Sequence, residues 1–472
     1  MAKGSTAEDT GWADLLAEGR APKFALICLG VWLNAADSLV TATIMPSVGA
    51  ELGGYAYFSW SVAGFLLGAI VAGASAGRVS QVFGLRTATT LAGLAFAVGC
   101  VMSAAAPDIG TFLAGRLIQG LGSGWISGFA MVAIALLFPE RHLARVFASV
   151  AGVWGIATVL GPLVGGLFAE AGDWRAVFWL FALQAALFSV AAPWLLKGAA
   201  RSEGGSQVPW LQLATLSVGV GAIALADASR APGITAGLVV AGLAVLVLVL
   251  RIDARAKVRL LPHRAGDVGT IVGSGYAAMF ATTATSMGIL IYGPPILQEL
   301  RGLSPLWAGY VVATHALAWT LAAFAVAGAS STEERRWIRF GGASILAGSV
   351  LLALVMRHAN LAWVVAGAAV MGVGFGLSSS LMNRRVLAAL SKEDRAIGAS
   401  AFIAVRQTGG AVGAAIAGAT ANLVGFGAGL TPASAQATAV WVFITALPLA
   451  LAGVWAAWRL TGTAVKAEPV RE

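Results

Sequence analysis

Asp37 is the acid among the 21 Asp and Glu residues that falls well inside an apolar stretch; the other 20 fall in loops, tails or span ends. Counted from Phe24 at about 1.5 Å per residue, it lies roughly 20 Å along a helix. A carboxylate in hydrocarbon costs at least about 2.5–3.5 kcal/mol, so an acid kept there points to proton or substrate chemistry. Asn34 and Thr41, three residues before and four after, share its face. Arg116 lies at nearly the same depth in a later apolar segment, with Gln119 one turn on. Such a pair supports either of two readings, a proton-coupling site or an ion pair that merely locks two helices. His315 and Arg406 also fall near mid-depth. His315 is open to a role in coupling or substrate binding, and equally to that of a satisfied polar residue between helices. Cys28 and Cys100 both sit in apolar segments, and no C-x-x-C or Cys/His cluster is present. No disulfide, metal or organic cofactor is therefore expected; the proton is the coupling ion the acid suggests.

The elements that must position these groups are long and apolar. The chain has 472 residues, 58% hydrophobic and 11% charged, with mean hydropathy +0.84, whereas soluble domains are about 25% charged. Stretches long enough to cross about 30 Å of hydrocarbon occur near 24–46, 55–76, 87–106, 110–138, 145–169 and 175–196. Six more lie near 269–297, 304–328, 338–356, 360–382, 396–424 and 436–458, with two shorter ones at 209–227 and 232–250 between the sets. The pattern predicts an all-α integral membrane protein of about fourteen transmembrane helices: two six-helix bundles, 24–200 and 266–460, joined by a linker, 201–265, that carries two extra helices. Tails at 1–23 and 461–472 complete the chain.

Charge tests this arrangement. Loops on alternate sides, beginning with the N-terminus, hold 24 of the 30 Lys and Arg; the opposite loops hold four, Arg175, Arg230, Arg301 and Arg357. The remaining two are Arg116 and Arg406. By the positive-inside tendency, both termini are expected in the cytoplasm. The same topological cause accounts for the net charge of +9, so no nucleic-acid partner is expected. Residues 1–23 carry Glu8, Asp9, Asp14 and Glu18 and lack the apolar core of a signal peptide, which makes the first apolar segment a retained anchor.

The two sets also resemble copies of one another, as in many transporters. Residues 72–93 align without a gap on 327–348 at an offset of 255, and Gly120-x-Gly122-x-Gly124 echoes Gly372-x-Gly374-x-Gly376 at an offset of 252.

Several motifs, in this order, resemble the major facilitator superfamily and within it the fourteen-span drug:proton antiporter family. They are Ala36-Asp37-Ser38 with Pro46; GRLIQGLG at 115–122, similar to an Arg-x-x-Gln-Gly motif; GPLVGG at 161–166, similar to a helix 5 motif of exporters; Trp174-Arg175 and Phe178-Trp179; Leu303-Ser304-Pro305 with Ala308-Gly309; and Arg406-Gln407 with Gly409-Gly410. The resemblance covers nearly the whole chain after residue 24. It implies a transporter rather than an enzyme, a multi-pass protein of a bacterial inner membrane that works as a monomer in the lipid bilayer on a small-molecule substrate. It also implies that Arg116 serves proton coupling and that Gly161, Pro162, Gly165 and Gly166 form the antiporter motif. Gly77, Gln81, Gly84 and Arg86 fall on the family's gating loop, but Gln81 stands where aspartate is usual, so the gate must be held in another way. Independently of the family, Gly152, Gly155, Gly161, Gly165 and Gly166 admit close helix approach and Pro162 favours a kink.

The leading expectation is export of small amphipathic or drug-like molecules in exchange for protons by alternating access, with Asp37 as proton carrier. An uptake symporter for a small anionic or polar solute, and a lipid-handling or sensory protein of the same fold, stay open as alternatives. Candidate cavity residues, chosen as polar, aromatic or adaptable near mid-depth, are Asn34, Thr41, Gln184, Tyr276, Met279, Thr283, Met287, Tyr292, Trp319 and Asn383.

Overall fold

A computed structural model describes residues 19–197, 207–229, 231–358, 360–391 and 394–462. Most of both expected tails and the start of the expected linker lie outside these residues. Among the described residues there are thirteen α-helices and three short 3-10 turns, with no strand. The helices are α1 (Arg20–Leu52), α2 (Trp60–Ala104), α3 (Ile109–Leu137), α4 (Glu140–Glu170), α5 (Trp174–Leu195), α6 (Trp210–Leu225), α7 (Pro232–Arg255), α8 (Ile271–Arg301), α9 (Pro305–Ala325), α10 (Ser331–Val355), α11 (Leu361–Ala388), α12 (Arg395–Leu423) and α13 (Pro432–Gly462). The turns are η1 (Tyr55–Tyr57), η2 (Ala226–Ala228) and η3 (Phe426–Ala428).

Ten of these segments are long and apolar enough to cross a membrane. Helices α8 and α12 have the length but are too rich in Gly, Ser, Thr and polar side chains to qualify by composition. The reason is visible in α8, which is buried along nearly its whole length by other helices and so has little surface to match to lipid.

The expected spans 55–76 and 87–106 are not separated by an extended loop. Helix α2 runs for 45 residues, about 68 Å at helical rise, and is interrupted at Gly84, whose φ of 77° and ψ of 149° suit only glycine. Helix α10 begins at Ser331 rather than 338 because Ser330 and Glu333 form a reciprocal capping box, so the polar run Thr332–Arg339 is helical instead of loop.

Helices α1 to α5 pack on one another, as do α8 to α13, while α6 pairs with α7 and also touches α12. The glycine echo has a structural counterpart in these two sets. A β-carbon on Gly120 or Gly124 would run into the backbone of Phe65 or Ala69 on α2; one on Gly372 or Gly376 would run into His315 or Trp319 on α9. Gly122 faces Phe96 N at 2.5 Å from such a β-carbon, and Gly374 faces the Gly341 carbonyl at 2.6 Å. Gly99 meets Gln119 as Gly348 meets Met371.

These matched contacts set the register: 252 for α3 on α11, 250 for α2 on α9, and 249 for the second part of α2 on α10. The ungapped sequence alignment at 255 is therefore out of register by more than a turn. In Ala/Gly-rich segments a short run matches at several offsets, and only the packing of backbone on backbone selects one.

The arginine-rich ends of the helices (Arg78, Arg86, Arg335, Arg336, Arg339, Arg384) define one face of the bundle, here the basic face. At the opposite end the two helical sets close on each other. Tyr55 and Phe58 meet Tyr292 and Phe426 with ring centroids 5.1–6.3 Å apart. Leu306 N donates to Glu170 Oε1, Tyr310 Oη to the Val159 carbonyl, and Asn422 Nδ2 to the Ala56 carbonyl.

Candidate coupling site

Asp37 and Arg116 are 0% and 1% exposed and meet between α1 and α3. One guanidinium nitrogen, Nη1, donates to both carboxylate oxygens, at 2.7 and 2.9 Å. Arg116 Nη1 also donates to Gln119 Oε1 at 3.0 Å, and Arg116 Nε donates to the Ser61 carbonyl at 3.3 Å. Gln119 Nε2 reaches Asp37 Oδ1 at 3.4 Å and Cys100 Sγ at 3.0 Å. Phe65 closes the site, with the guanidinium carbon 4.6 Å from its ring centroid.

The three-residue step from Arg116 to Gln119 puts both on one side of α3, and Gly115 and Gly120 beside them bring α2 close enough to bury the group. In so apolar a setting the pair is held together strongly, and loss of one partner strands the other. The carboxylate can be released only by protonation or by movement of α3 against α1. That is the chemistry needed to tie a proton to a conformational change.

The other candidates do not converge on one site. Asn34 Nδ2 donates to Ser127 Oγ, Gln184 Oε1 accepts from Trp32 Nε1, and Thr41 is buried with its hydroxyl unpartnered, all among α1, α3 and α5. Met279, Thr283 and Met287 lie along α8, and a β-carbon at Gly410 of α12 would stand 3.0 Å from Leu66, 3.8 Å from Met287 Sδ and 3.8 Å from Thr283. This is the seam between the two sets.

Tyr276 is further toward the basic face, donating to the Gly398 carbonyl, and Tyr292 is in the aromatic cluster at the closed end. Sixteen residues of one helix, about 24 Å, separate them. Trp319 packs at a tilt against Phe375, with ring centroids 5.4 Å apart, and Asn383 is half-buried with Oδ1 unpartnered. Arg406 has no hydrogen-bond or ion-pair partner among the described residues and lies one turn before Gly410, on the side of α12 that meets the seam. His315 is 3% exposed, with its ring against Phe375, Nδ1 unpartnered and a hydrogen bond to the Ala368 backbone.

On α4, Gly161, Gly165 and Gly166 meet Leu39, Val40 with Thr43, and Leu306; Pro162 packs beneath Gly309. The expectation for Gly152 and Gly155 does not hold in this conformation: a β-carbon on either would meet nothing within 4 Å. Both lie in the half of α4 nearer the basic face. Gly77 accepts from Ser80 Oγ, Gln81 is half-buried, and Arg86 is exposed just past the Gly84 break. Sequence reasoning missed Asp227, which is buried at the closed end; its position at the edge of an apolar segment made it look like a loop residue.

A helical bundle with an acid–base pair buried between α1 and α3 and its two halves closed at one end has the architecture of a membrane transporter. The family model described as Major Facilitator Superfamily matches residues 27–414, and the chain belongs to that family. It is 28% identical over 476 residues to a probable multidrug-efflux transporter of Mycobacterium tuberculosis, covering 97% of this chain and 98% of that one. It is 27% identical over 423 residues to a triacylglyceride transporter of Mycobacteroides abscessus, covering 83% of this chain and 80% of the other. Among solved structures it has the fold of a POT family transporter in complex with 5-aminolevulinic acid, with TM-score 0.65, 13% identity and coverage of 92% and 95%. It likewise resembles a D-xylose-proton symporter, with TM-score 0.62, 18% identity and coverage of 91% and 97%.

Proposed function

We propose that this transporter exports small amphipathic molecules in exchange for protons. The observation that carries the reading is the buried Asp37–Arg116 pair, and the relative named a multidrug-efflux transporter supports the direction. The chain crosses the membrane fourteen times when α2 is counted as two spans divided at Gly84, and the split of 24 basic residues against four argues for both termini and the basic face in the cytoplasm. The bundles 24–200 and 266–460 then rock about the seam, and the end opposite the basic face is closed in the present conformation.

Asp37 takes up a proton when its site faces outward and yields it inward, with burial and Arg116 acting on the carboxyl in opposite senses. One proton moving through about 100 mV supplies roughly 2.3 kcal/mol, enough for about a 40-fold gradient of a neutral substrate. Arg406, which has no partner among the described residues, would suit a negative group on part of the substrate range. A second reading, in which the cargo is an apolar lipid, is favoured by the relative named a triacylglyceride transporter.

Everted membrane vesicles test both. Energised vesicles should accumulate an amphipathic dye, an uncoupler should abolish this, and Asp37→Asn should remove it. Uncoupler-sensitive uptake by Asp37→Asn at the parental rate would rule out Asp37 as carrier; transfer of labelled triacylglycerol without dye transport would favour the lipid reading.

A further inference from the structure

Asp227 is 1% exposed in η2, the turn that joins the two extra helices α6 and α7. Its Oδ2 accepts from Ser59 Oγ, and its Oδ1 has no partner. No lysine, arginine or histidine among the described residues pairs with it. Around it, Asn422 of α12 donates from Nδ2 to the carbonyl oxygens of Ala56 at 2.6 Å and of Asp227 itself at 2.8 Å. Gly418 of α12 packs so closely that a β-carbon there would overlap both Asp227 and Ser59. Trp60 Nε1 ties the start of α2 to the Ala224 carbonyl at 3.1 Å. One buried carboxyl thus lies where the extra hairpin, η1 from the first helical set and α12 from the second all meet, at the closed end.

We propose that Asp227 is a second proton-binding site, at which uptake of a proton accompanies closure of this end and release accompanies its opening. The inference rests on the alternating-access reading of the transport cycle. Among the described residues a carboxylate sealed here has one neutral donor and no counter-charge, which burial does not tolerate; the neutral acid fits, since its O–H can share a proton with Ser59. Burial pushes this carboxyl well above the usual carboxylate range. The titratable groups near it are few: Tyr292 from α8 lies close enough to feel its charge, while Tyr55 from η1 feels that of Glu299. Opening would wet Asp227 and restore an ordinary carboxyl, so its proton affinity is higher in the closed state. The closed-to-open ratio is then constant below the open-state pKa, falls tenfold per pH unit between the two values, and levels off above the closed-state value.

Spin labels at Ala50→Cys and Ala433→Cys, both exposed and on opposite sets, in a Cys28→Ser/Cys100→Ser background reconstituted in liposomes, would report this end by distance. In an Asp37→Asn background, which removes the contribution of the proposed carrier, the closed-to-open ratio should fall with rising pH by up to tenfold per unit. In Asp37→Asn/Asp227→Asn this end should stay closed at every pH. A slope that survives when both carboxyls are replaced, or a ratio in Asp37→Asn that does not respond to pH, overturns the inference. If Asp227→Asn cannot be recovered folded, the infrared carbonyl band of a protonated carboxyl decides: it must persist in Asp37→Asn and vanish as the end opens, and its absence overturns the inference. A failure of Asp37 as the export carrier would be read in vesicle transport and would leave this distance measurement unaffected.

Discussion

His315 and Phe65 hold the same place in the two copies of the repeat. The backbone of Phe65 packs on Gly120 and that of His315 on Gly372, at the offsets that relate α2 to α9 and α3 to α11. The Phe65 ring carries the Arg116 guanidinium. In the second copy the position matching Arg116 is Ala368, and the His315 ring hydrogen-bonds its backbone. The imidazole thus fills room that an arginine fills in the first copy. His315→Phe should leave dye export within about twofold of parental, a difference of only about 0.4 kcal/mol in barrier; a loss of proton coupling in that variant would return His315 to the coupling path.

Arg116→Ala leaves Asp37 buried without its counter-charge and should destabilise the protein by about 3–5 kcal/mol. In an Asp37→Asn background the same change removes no ion pair and should cost much less. A cycle of both single variants and the double variant, followed by thermal unfolding in detergent, should show a coupling above about 1 kcal/mol. Additive losses would mean that the 2.7 Å contact contributes little.

Gly166→Leu places a side chain against the Leu306 backbone, whose Cα stands 2.5 Å from the β-carbon position. Such overpacking costs about 1–3 kcal/mol, so export should drop by about tenfold with normal insertion. Gly165→Leu, facing Val40 and Thr43, should act in the same direction. Parental transport by Gly166→Leu would show that α4 and α9 need no close approach.

Asp253 clamps the end of the extra hairpin, accepting from Leu260 N at 2.6 Å, Leu261 N at 3.0 Å and Gln212 Nε2 at 3.2 Å. Asp253→Ala strands the two backbone donors, while Gln212 Nε2 keeps its bond to the Val258 carbonyl, and should lower stability by about 2 kcal/mol, visible as a reduced unfolding midpoint. An unchanged midpoint would make the clamp dispensable.

Ala50→Cys should react with an impermeant thiol reagent in intact cells, and Lys257→Cys only after the membrane is opened; both positions are exposed. The reverse pattern would invert the orientation drawn from the basic loops.

The sequence by itself determined the features that are set by a cost per residue. Burying backbone in hydrocarbon demands helices, and keeping charge out of it demands that acids and bases be either at the ends or paired. Hence the helical segments, the basic face, and Asp37 with Arg116 were all legible without coordinates. The tertiary structure decided whatever depends on which surfaces touch. Glycines at 120 and 372 fixed the repeat register that composition left ambiguous. Gly152 and Gly155, alike in sequence to Gly165 and Gly166, turned out to face open space, since which side of α4 meets a neighbour is set by the packing of the whole bundle. The ten cavity candidates scattered along α8 and elsewhere, because mid-depth is a coordinate along a helix axis and says nothing of direction around it. Asp227, placed by sequence at the solvated edge of a span, is sealed by η1 and α12, since burial at a helix end is conferred by neighbours distant in the chain.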